Sequence, residues 1–105
     1  MNNQINYWVL PSITYSKPST ETIVEKVCNH FNVPKNVIFM KNRVRAVNEA
    51  RSIVMYLLHK YKGLTCVEVA KYLNKDHSTV LHACKKIDGF IEFDVKYKEL
   101  VNKFK

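Results

Sequence analysis

Glycine is scarce: Gly63 and Gly89 are the only two in 105 residues, so no GxxxxGK[ST] occurs. The loop whose backbone amides cradle nucleotide phosphates is therefore absent, and no nucleotide is expected as a ligand. Cysteine is also sparse. Cys28, Cys66 and Cys84 are odd in number and far apart. No pair has the short spacing of a zinc site or redox motif, so they read as reduced core thiols, with neither metal nor cofactor implied. No stretch approaches the ~18 consecutive apolar residues of a membrane span, and no cationic start precedes an apolar run, so the expectation is a cytoplasmic protein away from membranes. Acidic residues number nine against seventeen Lys and Arg, a formal net charge of +8 with a pI near 9.5. That imbalance points to a polyanion as partner, and whether nucleic acid, a lipid surface or plain solubility explains it depends on where the charge lies.

What is present is helical periodicity. Residues 1–18, with Pro11, Pro18 and the aromatics Tyr7, Trp8 and Tyr15, read as an extended segment. From Ser19, the expected N-cap, Ile23, Val24, Val27, Cys28 and Phe31 recur at helical spacing up to Asn32. Pro34 then opens a short turn of helix, PKNVIF, with Val37 and Ile38 directed at the core. The basic stretch MKNRVRAV carries Lys41, Arg43 and Arg45, and Asn48 is expected to cap the following helix. In that helix Ala50, Ile53, Val54, Leu57, Leu58 and Tyr61 form a continuous apolar stripe ending before Gly63. Thr65 to Glu68 has the capping-box pattern, and Cys66, Val69, Ala70 and Leu73 give the helix after it an inner face. The break Asn74-Lys75-Asp76 has the length found inside a helix-turn-helix, and Asp76 is expected to cap the helix after it. Asp94 caps a last helix through Tyr97, Leu100, Val101 and Phe104. The fold class is all-α, with residues 19–105 as one domain.

The segment NKDHSTVLHACKK concentrates chemistry-bearing residues. On a helix, Val80, Cys84, Ile87 and Ile91 fall within roughly 40° of one another and form the buried stripe. Ser78, His82 and Lys85 lie opposite, flanked by Thr79 and Lys86. A nucleophilic role for Cys84 fails because His82 is about 160° around the helix from it. His77 and His82 are five residues apart and diverge, unlike the i, i+4 pair of HExxH, so a metal site fails as well. The chain reads as a binding protein, not an enzyme. What remains is DNA recognition: Asp76, Ser78 and Thr79 are short enough to approach base edges, while Lys85 and Lys86 would meet the backbone.

These residues carry a family resemblance. KDHSTVLHACKKI resembles the signature of the C-terminal DNA-binding domain of DnaA, the bacterial replication initiator, where Asp-His-(Thr/Ser)-Thr-Val-x-His opens the recognition helix. RSIVMYLLHKY is similar to that family's long central helix, MKNRVRAV to its basic loop and TIVEKVCNHFNV to its first helix, a likeness covering about residues 20–105. The pattern departs at Asn42, where a basic residue is common, at Glu49-Ala50, where arginine and proline are often seen, and in a helix-turn-helix break that lacks glycine.

The resemblance implies a six-helix, Trp-repressor-like domain. In it Asp76, His77, Ser78 and Thr79 face bases in the major groove, with Lys75 and His82 on backbone or adjoining edges. Arg43 would enter the neighbouring minor groove, with Lys41, Arg45 and Arg51 as phosphate partners. It further implies double-stranded DNA as partner, at DnaA-box-like sites, in the regulation of replication or transcription. The alternative is a protein-interaction module that engages a replication protein through the aromatic segment Tyr7 to Tyr15.

Overall fold

The computed structural model describes residues 19–105. The expected extended segment 1–18, and with it the aromatic contact surface of the alternative reading, lies outside the described residues.

Helix α1 spans Thr20–Phe31. The Ser19 hydroxyl accepts from the Thr22 amide at 3.2 Å, so the cap forms as its residue type predicts. Asn32 ends the helix in the left-handed region at φ 54, and the Val33 amide returns to the Cys28 carbonyl at 2.9 Å. A single 3-10 turn, Lys35–Phe39, follows and buries Ile38.

Helix α2 is Arg45–Tyr56, continued by a π-helical turn, Leu57–Tyr61. It begins four residues earlier than an Asn48 cap would allow. Asn42 organises the entry instead: its side-chain oxygen accepts from the Val44 amide at 2.7 Å, leaving the Val44 carbonyl to accept the first helical bond, from the Asn48 amide at 3.0 Å. Asn48 is thus inside the first turns of α2, and the irregular basic loop shrinks to Met40–Val44. The chain leaves the π turn through Gly63 at φ 88, a conformation that L side chains rarely adopt.

Helices α3, Cys66–Leu73, and α4, His77–Phe93, form the helix-turn-helix, and α5, Val95–Lys103, closes the domain. The described residues therefore hold five α-helices, and the sixth helical element is the 3-10 turn. The tight break between α3 and α4 needs no glycine because Asn74 takes the left-handed conformation at φ 57. The Lys75 amide then reaches back to the Ala70 carbonyl at 2.9 Å.

Helix α2 is the hub, packing on α1, α4 and the 3-10 turn, while α3 and α5 rest on α4. Its stripe Ala50, Ile53, Val54, Leu57 and Leu58 is fully buried. Truncating Ile53 or Leu57 to alanine would cost roughly 2–5 kcal/mol, lost transfer energy plus a cavity. From α4, Val80, Cys84 and Ile87 meet this stripe with Ala83 beside them, while Ile91 is half-buried. This packing turns the opposite face of α4 outward.

Candidate nucleic-acid interface

At the start of α4, Asp76, His77, Ser78 and Thr79 are all exposed, as are His82, Lys85 and Lys86 further along. Asp76 occupies the N-cap position, but its carboxylate makes no capping hydrogen bond. The expectation that Asp76 caps the helix through its side chain is therefore corrected. The Asp76 carbonyl accepts from the Thr79 amide at 3.1 Å and the Val80 amide at 3.3 Å, so the amides of His77 and Ser78 have no partner inside the helix. A free carboxylate and free amides together give this helix end both acceptors and donors.

Two helices contribute to the surface beside it. Asn48, Arg51, Ser52 and Met55 of α2 face Thr79, His82, Ala83 and Lys86 of α4 across a cleft of about 320 Å³. Arg45 of α2 joins Lys86 in an adjoining cleft of about 200 Å³, which also reaches Tyr97. A third groove runs along the turn between α3 and α4, lined by Lys71, Asn74, Lys75, Asp76 and His77.

The basic loop stands next to that turn. Burial, then the positive charges of Arg51 and Lys41, pull the Lys75 ammonium below the ordinary lysine range, which places loop, α2 and turn within one electrostatic neighbourhood. Lys41, Arg43 and Arg45 are exposed. None of Lys41, Arg43, Arg45, Lys75, Lys85 or Lys86 makes an ion pair with a described residue; the pairs that form are Lys35 with Glu25 and Lys60 with Asp88, elsewhere. Glu49 shares the cleft of Arg45 and Lys86, and Asp76 the groove of Lys71 and Lys75, but cations outnumber carboxylates along these clefts, an arrangement that attracts a polyanion.

Arg51 differs from the other basic residues singled out in the sequence. It is 8% exposed, and its guanidinium donates to the Ile38 carbonyl at 2.8 Å, the Met40 carbonyl at 2.6 Å and Asn48 Oδ1 at 2.9 Å. Burial alone pulls its pKa down from the ordinary value. Lys85, Ser78 and Arg43 line none of the three clefts.

Sequence reasoning missed Asn48 and Ser52 as members of this surface. The signal is the i, i+4 polar pair Asn48 and Ser52, hidden because an Asn at that place reads as a cap. The cysteines are free, with Cys28 and Cys84 buried and Cys66 half-buried. Cys66 Sγ rests 3.6 Å from His59 Nε2, while His59 Nδ1 bonds the Leu64 carbonyl at 2.8 Å. Among the described residues no group of three or more His, Cys, Asp or Glu side chains is placed to hold a metal ion.

The comparisons with known proteins bear on this geometry. The family described as bacterial DnaA protein helix-turn-helix matches residues 20–87, from the first residue of α1 to the last buried residue of α4. The chain belongs to this family. Among DnaA relatives, the chromosomal replication initiator protein DnaA of Bacteroides thetaiotaomicron is 40% identical over 79 residues, which are 74% of this chain and 17% of that protein. The DnaA of Lachnoclostridium phytofermentans is 35% identical over 83 residues, 78% of this chain and 18% of its own length. The DnaA of Aquifex aeolicus is 38% identical over 80 residues, 75% of the chain and 20% of the relative. The chain thus spans about a fifth or less of the DnaA proteins it matches. Among the described residues no helix is long and apolar enough to cross a membrane.

Proposed function

We propose that the protein binds double-stranded DNA sequence-specifically at DnaA-box-like sites, and that this binding serves the regulation of DNA replication or transcription. The N-terminal half of α4 enters the major groove, where Asp76, His77, Ser78 and Thr79 meet base edges and thymine methyl groups. Lys75, Lys85 and Lys86 neutralise flanking phosphates, His82 meets backbone or adjoining edges, and the loop Met40–Val44 delivers Arg43 to the adjoining minor groove, with Lys41 and Arg45 on the backbone.

One observation carries this reading: Arg51, which bonds the Met40 carbonyl where the basic loop begins, lines one cleft with Thr79, His82 and Lys86 of α4, so loop and helix face adjoin, and their exposed cations make no ion pair with a described residue. A solvated helix face has no reason to be joined to a second, irregular basic element. The free His77 and Ser78 amides at the helix end add donors suited to phosphate. Membership of the DnaA helix-turn-helix family supports the same partner.

Fluorescence anisotropy of a labelled duplex carrying a DnaA box, titrated against a scrambled duplex over a salt series, tests the proposal. The expected result is tighter binding to the box, with log K falling against log salt with a slope of roughly −4, from four or five phosphate contacts. Equal affinity for both duplexes, or affinity indifferent to salt, would defeat it.

A further inference from the structure

Among the described residues Arg51 is the charged side chain that the fold buries, and it has no carboxylate within ion-pair distance. Removing a cation from water without a counter-charge is costly unless its donors are met. Here they are met by the loop's own approach: the Ile38 carbonyl at the end of the 3-10 turn, the Met40 carbonyl where the loop begins, and Asn48 Oδ1 one turn earlier on α2. These partners lie 13, 11 and 3 residues away in sequence, so the guanidinium ties the loop entry to the central helix. Beyond Met40 the loop's own ties are local, the Met40 amide to the Val37 carbonyl at 3.1 Å and the Val44 amide to Asn42 at 2.7 Å.

We infer that Arg51 is a positioning residue for the loop that carries Lys41 and Arg43, acting from its seat in α2 and not as a phosphate partner. The fork geometry of guanidinium explains the residue type. Nε and the two Nη atoms point in fixed, divergent directions and reach three acceptors at once, whereas a lysine ammonium is a point charge on a flexible stem. Losing the fork would leave the Ile38 and Met40 carbonyls without this partner and release the loop while keeping the charge. The part of the inference that concerns DNA rests on the proposed function. The part that concerns loop order does not.

The test therefore has two arms on the whole chain. In the free protein, Arg51→Lys should speed hydrogen exchange of the 40–44 amides about tenfold, while Arg43→Ala leaves them at the parent rate. On a box with an A·T-rich flank, Arg51→Lys should lose as much affinity as Arg43→Ala. Added to an Arg43→Ala background, it should lose nothing more and leave the salt slope unchanged. Unchanged loop exchange overturns the inference, and so do losses that add in the double variant, the mark of a contact that Arg51 makes independently of the loop. Should Arg51→Lys not fold, Asn48→Ala carries the test by removing one acceptor: faster exchange at 40–44 by about threefold is expected, and none overturns it. If the parent binds no duplex at all, the proposed function fails while the exchange arm still decides the role of Arg51.

Discussion

Thr65 and Glu68 cap one another at the start of α3: the Thr65 hydroxyl accepts from the Glu68 amide at 3.1 Å, and Glu68 Oε1 accepts from the Thr65 amide at 2.9 Å. Two backbone donors that the helix cannot satisfy are met reciprocally, and the first helix of the helix-turn-helix is fixed in place by them. Thr65→Ala should cost about 1 kcal/mol, since that is the usual loss on removing such a cap. For a domain of this size the melting temperature should then fall by roughly 4–8 °C, measurable by circular dichroism.

The same pair sets an acid limit. The hydrogen bonds from Thr65 hold the Glu68 carboxyl below its ordinary value of 4.5. The folded state therefore favours the carboxylate, a contribution present above pH 4.5 and lost as pH falls through the depressed folded value. Between pH 7 and pH 3 the parent should lose more melting temperature than Glu68→Gln, whose side chain does not titrate. Parallel declines would remove the linkage.

An alkaline limit follows from α4 and α5. Burial pushes the Cys84 thiol up to about 11 and the Tyr97 phenol, whose hydroxyl is buried with no hydrogen-bond partner, up to about 12. Both folded values lie above their unfolded ones of 9.0 and 10.0, so the folded state holds protons the unfolded chain releases. Stability is complete below pH 9 and declines as pH rises toward 11 and 12. Melting temperatures from pH 8 to 11 should fall, and Cys84→Ala, although less stable at pH 8, should show the shallower decline.

The helices were legible because their signals are local and redundant. Ser19, Asn32, Thr65 with Glu68, and Asp94 mark boundaries by residue types whose side chains meet neighbouring backbone groups, and all four do so in the structure or end a helix in the left-handed region. The stripe of α2 was readable from period alone. Asn48 and Asp76 misled for a shared reason: an Asn or Asp near a helix start is read as a cap, but whether its side chain turns back to the backbone depends on what else organises the turn. Asn42 does so for α2, and the Asp76 carbonyl suffices at α4. The burial of Arg51 was not legible, because its acceptors are backbone carbonyls that no residue type announces.

The proposed minor-groove contact of Arg43 leads to a flank-dependent prediction. A narrow A·T-rich minor groove concentrates negative potential around an inserted arginine. Arg43 is exposed on an irregular loop, and no described acidic residue pairs with it. Arg43→Ala should weaken binding most on boxes with A·T-rich flanks. Equal losses on A·T-rich and G·C-rich flanks, compared by anisotropy at one salt concentration, would place Arg43 on the backbone instead.

The two ends of the exposed face of α4 should fail differently. His77 is the first residue of the helix, beside the uncapped Asp76 carboxylate and a free backbone amide, where a helix inserted in the major groove meets base edges. Losing a base contact costs about 1–3 kcal/mol on the preferred site only, so His77→Ala should erase preference and spare non-specific affinity. Lys85 stands two turns further on, exposed and outside the clefts, where the proposed docking takes the helix from the bases to the phosphates. Lys85→Ala should weaken all duplexes alike and reduce the salt slope by about one. Because His77 also lines the groove at the turn with Val67 and Ala70, its variant is read only where helicity and melting temperature match the parent. A folded His77→Ala protein that discriminates the box as well as the parent would take α4 out of the major groove.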